Sequence, residues 1–179
     1  MNKNFSFYKK IQIISAILIS LFCGSPNAFN HLNSKIKDDQ NYSENFMSQL
    51  ASYGMVGLYF TIPAGILYDR IGPRFTSILG SILASGGYLL MSFIPGKFSM
   101  SFFFVIVGFG LGFSFIVSLG TAVKASSEKF RGFSVACVGS AMSLSMGLVV
   151  LIFQCVECFL MDFIVLMLYQ YLLFLLLTF

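Results

Sequence analysis

Few residues in this chain have the chemistry to do work, and most of those that do are bunched. Asp, Glu, Lys and Arg make up only 10% of the 179 residues, and there is one histidine, His31. The densest group is Gly65-Ile66-Leu67-Tyr68-Asp69-Arg70-Ile71-Gly72-Pro73-Arg74. Gly72 can adopt the left-handed conformation that ends a helix, and Pro73 cannot continue one, so the stretch predicts a hard helix stop. Arg70 and Arg74 then lie where a helix C-terminus and anionic headgroups both favour positive charge, whereas Asp69 sits where its own helix dipole repels it. A carboxylate so placed calls for a cationic partner, for which Lys124 and Arg131 are the candidates. Gly65, one turn before Asp69, leaves room for a neighbouring helix to approach. On the residues alone, the group reads as a latch or as a well-capped basic hairpin.

Other chemistries find no residues to carry them. There is no Ser/His/Asp set and no phosphate-binding loop, so an enzyme is not expected. Cys23, Cys137, Cys155 and Cys158 lie in or beside apolar runs, where a thiol behaves as a small hydrophobe. Cys155 and Cys158 form a C-x-x-C, but a zinc site needs four ligands and His31 is remote; disulfide pairing of the two stays open. Neither a metal nor a cofactor is expected. The net charge of +4 comes without a basic cluster interleaved with aromatics, so no nucleic-acid partner is expected.

These residues are carried by elements of a membrane protein. Hydrophobic residues make up 57% of the chain, with 22 Phe, 16 Gly and no Trp, a composition that suits packed helices in lipid. A crossing helix needs about 20 mainly apolar residues. Six windows meet that need: 11–30, 46–68, 75–94, 101–123, 133–156 and 159–179. The fold class is thus all-α, a polytopic bundle of six transmembrane helices in one domain, with the lipid bilayer as its first partner. The stretch before Ala28 also has the form of a secretory signal, the less favoured reading. Short cytosolic loops retain Lys and Arg. With the N-terminus cytosolic, eight of the 11 basic residues fall on that side, leaving Lys35, Lys37 and Lys97 opposite.

The pattern G-x-x-x-D-R-x-G-x-R between a second and third span resembles the signature loop of the major facilitator superfamily. Cys23-Gly24-Ser25, Gly54-Met55-Val56-Gly57-Leu58-Tyr59 and Gly-Gly-Tyr at 86–88 add a resemblance to its nodulin-like and fungal monocarboxylate-type carriers, over about 24–150. The resemblance implies one six-helix half of a twelve-helix carrier. It also implies that Asp69 forms a charge-relay latch on the inner gate, with Gly65 permitting helix contact and Arg70 and Arg74 as latch and orientation residues. Pro73 departs from the basic residue many members carry there, as in the Gly-Pro-Arg of the nodulin-like subgroup.

Small residues, Gly108 with Gly112 and Gly139, Ser143 and Gly147, predict close helix packing. Asn27, Asn30, Tyr53 and Gln154 are the candidate pathway residues, with Gln170 a further polar position. The run from Leu172 to Phe179 stays apolar and lacks a basic flank, so the chain reads as the N-terminal half of a carrier. The expected function is transport of a small solute by alternating access, with a second copy or the missing half as partner. The alternative is a non-transporting membrane scaffold or assembly protein, or an inactive fragment.

Overall fold

The computed structural model describes residues 3–24, 43–94 and 96–155. The span expected at 159–179 and the end of the first span lie outside them, as do Asn27, Asn30, His31, Cys158 and Gln170. Every regular element among the described residues is helical: α1 (Lys3–Cys23), α2 (Glu44–Tyr59), α3 (Ile62–Ile71), α4 (Pro73–Phe93), α5 (Lys97–Ala125) and α6 (Arg131–Cys155), with a 3-10 turn at Glu128–Phe130. Two helical stretches among them are long and apolar enough to cross a membrane, Glu44–Ile71 and Lys97–Ala125.

Local chemistry sets the boundaries. The Ser43 hydroxyl accepts from the Phe46 N–H at 3.4 Å and starts α2, with Glu44 in its first turn. The region 46–68, read from the sequence as one helix, is two. Pro63 has no N–H for the Tyr59 carbonyl, and its ring would collide with that carbonyl in a continuous helix. The chain therefore leaves helical geometry at Phe60 and Thr61. Between α3 and α4, Gly72 has φ 97° and ψ 173°, a positive-φ turn open to glycine rather than a further left-handed residue, and Pro73 begins the next helix.

α5 is the hub. On one side it packs in parallel with α2, where Leu50, Ala51 and Phe104 form a cluster and Leu58, Ala84, Val107 and Leu111 another. On the other it runs antiparallel to α4, the Gly80 region meeting Gly110 and Ser114. Gly108 and Gly112 face α2, and a Cβ on Gly108 would lie 2.9 Å from the Leu58 nitrogen. Only hydrogen fits there, so the glycine pair lets two backbones touch. A third cluster, Ala16, Ala122 and Val138, joins α1, α5 and α6. There the Ser20 hydroxyl donates to the Val138 carbonyl at 2.6 Å. Gly139 and Gly147 differ: nothing lies within 4 Å of a Cβ built on either, so the Gly139–Ser143–Gly147 face meets no described helix.

Candidate functional site: the basic end of the bundle

Contacts between helices give their directions. Tyr68 meets Gly120 near the end of α5, the start of α4 lies beside α5's second half, and α1 and α6 run in parallel. One end of the bundle therefore collects Lys9, Lys10, Asp69, Arg70, Arg74, Lys124, Glu128, Lys129 and Arg131. It is strongly positive, with two carboxylates among seven cations.

The turn between α3 and α4 is built by its own hydrogen bonds. Gly72 N–H donates to the Tyr68 carbonyl at 3.1 Å, and the Thr76 hydroxyl donates to the Gly72 carbonyl at 3.0 Å. This leaves Asp69, Arg70 and Arg74 exposed. Asp69 makes no ion pair among the described residues. Lys124, a candidate partner, instead holds its Nζ 4.2 Å from the centre of the Tyr68 ring. Arg131 is exposed at the first turn of α6. Around Gly65 there is open space, with nothing within 4 Å of a Cβ built there.

Tyr68 is the residue that sequence reasoning missed. It is 5% exposed, and its hydroxyl is buried without a hydrogen-bond partner. The ring fits because Gly120 has no side chain: a Cβ there would lie 2.5 Å from the ring's Cζ and 2.7 Å from the hydroxyl oxygen. A tyrosine one residue before Asp69 carried no signal, because only the α3–α5 contact reveals its burial. A cation over an aromatic face at an exposed site contributes about 0.5–1 kcal/mol, close to thermal energy. Such a contact opens and remakes easily.

The loop after α5 is tied down more firmly. The Ser126 hydroxyl donates to Ser134 Oγ at 2.5 Å, and Phe130 N–H to the Ser127 carbonyl at 2.9 Å. Of the pathway candidates, Tyr53 is exposed on α2 and Gln154 lies in the last turn of α6. An apolar cleft of about 400 Å3 separates α1 from α6, lined by Ile17, Leu21, Phe133, Cys137 and Leu144 among others. Among the described residues no three His, Cys, Asp or Glu side chains gather as a metal site would require.

Comparison with known proteins bears on what this end does. Residues 12–178 match the Major Facilitator Superfamily. A protein of Gibberella zeae named "Probable transporter MCH1" is 29% identical over 102 residues, a stretch covering 56% of this chain and 18% of that protein's own length. The family match runs through α1, the turn at Gly72, the hub helix and α6. With an all-helical bundle and two stretches apolar enough to cross a bilayer, it makes this chain an integral membrane protein and a member of the Major Facilitator Superfamily.

Proposed function

We propose that the chain moves a small solute across a membrane by alternating access. In this reading it forms a six-span N-terminal half whose basic end faces the cytosol, with the N-terminus on that side. One observation carries it: the turn at Asp69–Arg74 sits beside Lys124, and among the described residues Lys124 rests on the face of Tyr68 rather than on a carboxylate. A gate needs a charge that can change partners. Lys124 can leave the Tyr68 ring for the Asp69 carboxylate, or for a group on a facing half, at little cost. Asp69, Arg70 and Arg74 then serve as latch and orientation residues, Gly72 shapes the turn, Gly65 leaves open space where a facing helix can approach, and Arg131 is a second cation within the same loop system. Asn27, Asn30, Tyr53 and Gln154 stay as candidates to line the pathway. The facing wall comes from a second copy or from a C-terminal half. The resemblance to nodulin-like and fungal monocarboxylate-type carriers makes small carboxylates the first solutes to try.

The test is uptake into vesicles carrying the chain, using labelled monocarboxylates and amino acids, with Asp69→Asn as the comparison. Uptake above empty vesicles that Asp69→Asn abolishes at equal protein level is the expected result. Uptake no greater than in empty vesicles for every solute, with folded protein present alone and together with a C-terminal half, would overturn the reading.

A further inference from the structure

The gap in the second span plays no part in the gate, and its backbone leaves polar groups to account for. α2 stops at Tyr59 and α3 starts at Ile62. Thr61 N–H turns back to the Tyr59 carbonyl at 2.8 Å instead of reaching the Gly57 carbonyl, and helical pairing resumes with Gly65 N–H on the Thr61 carbonyl at 3.0 Å. Among the described residues, the Gly57 and Phe60 carbonyls accept no hydrogen bond and the Thr61 hydroxyl makes none. Pro63 favours the break, since it has no N–H to offer the Tyr59 carbonyl in a continuous helix.

Depth decides what such a gap can face. From Ile62 to Arg70, a helix rise of 1.5 Å per residue puts the gap about 12 Å from the basic end, well inside a hydrocarbon layer of roughly 30 Å. Unpaired backbone at that depth is tolerated only against protein or a water-filled cavity, never against lipid. One side is covered by α5: the Leu58 carbonyl points at Gly112, where a Cβ would lie 2.7 Å away, the half-buried Thr61 turns its methyl to the same spot at 3.3 Å, and the Phe60 ring meets Phe109 edge to face at 5.7 Å. The other side is open, with Tyr59 at 72% and Ile62 at 69% exposure, and Ile62 shares its face of α3 with Asp69.

We propose that the gap at Phe60–Thr61 lines a water-filled passage and that the Phe60 carbonyl and Thr61 hydroxyl receive hydrogen-bond donor groups, hydroxyl or ammonium, of the transported solute. The solute half of this statement rests on the carrier reading; the water half rests on the backbone accounting alone. The Phe60 carbonyl only accepts, while the Thr61 hydroxyl can accept or donate, so the gap favours a solute that brings a hydroxyl or ammonium group alongside its carboxylate.

The experiment uses the full chain in sealed membrane vesicles with Cys23, Cys137, Cys155 and Cys158 replaced by Ser. Single cysteines are placed by Thr61→Cys, Ile62→Cys and, as the control, Ile82→Cys, which lies at similar depth on α4 and is also exposed. The probe is a charged, membrane-impermeant thiosulfonate. The expected result is that cysteines at 61 and 62 react at least about 10-fold faster than at 82, because only they border water. Adding Pro63→Ala, which returns an N–H to the Tyr59 carbonyl, should slow both. Reaction at 61 and 62 no faster than at 82 would overturn the inference, even if transport is measured. If Thr61→Cys fails to accumulate, Ile62→Cys reads the same wall. Fast reaction without uptake of any solute would uphold the water passage and overturn the solute contact together with the carrier reading.

Discussion

Replacing Gly108 by Ala adds one methyl where α2 and α5 meet backbone to backbone. The new Cβ would lie 2.9 Å from the Leu58 nitrogen and 3.0 Å from Gly57 Cα, with the Gly54 carbonyl also in its path. Carbon contacts settle near 3.5–4.0 Å, so α2 must withdraw by roughly 1 Å. No side chain can turn away instead, because the obstructing atoms are main chain. Withdrawal loosens the cluster of Leu58, Ala84, Val107 and Leu111. Overpacking of this kind costs about 1–3 kcal/mol, and at about 2–4 °C per kcal/mol for a chain this size the melting temperature should fall by roughly 2–12 °C. The matched control is Gly139→Ala, where nothing lies within 4 Å. There the substitution only improves helix propensity, by about 1 kcal/mol at most. The assay is retention of the monodisperse peak of detergent-solubilised protein after heating. Equal melting temperatures for the two variants would refute the close-approach argument.

Three further outcomes follow from the geometry. Tyr68→Phe removes a buried hydroxyl that has no partner, so stability should hold or rise by up to about 1 kcal/mol; a clear drop in melting temperature would mean the hydroxyl is bonded. Ser20→Ala deletes the hydrogen bond that ties α1 to the Val138 carbonyl, and should cost about 0.5–1.5 kcal/mol by the same heating assay. Gly72→Ala forces an L residue to a φ of 97°, costing about 1–3 kcal/mol. Its loss should show as lower melting temperature and lower accumulation, whereas Gly65→Ala, with open space around it, should change neither.

How much was legible in the sequence depended on whether a signal was local. Gly72-Pro73 marks the turn because glycine freedom and proline's missing donor act within a few residues. The helix near 101–123 was found from its apolar run, although α5 extends to Lys97–Ala125, since a run of hydropathy says nothing of capping. The gap in the second span is invisible to hydropathy, which averages over Pro63, whose missing N–H falls on the carbonyl four residues upstream. The pairing of Lys124 with Tyr68 rather than Asp69 could not be read at all. It depends on Gly120, 52 residues from Tyr68 in sequence, leaving a hollow for the ring. The Gly139–Ser143–Gly147 repeat is the opposite lesson: its spacing matches a packing face, yet spacing alone does not say whether a helix lies against it.

In the proposed topology the turn at Gly72, the loop at Ser127 and the start of α1 share one face of a bilayer while Lys97 faces the other. Single cysteines at Arg74, Ser127 and Lys97, in the chain otherwise free of cysteine, can be labelled with an impermeant reagent in vesicles of both orientations. Cysteines at 74 and 127 are expected to react together from the cytosolic face and the one at 97 from the opposite face. Reaction of 74 and 127 from different faces, or of all three from the same face, would contradict it.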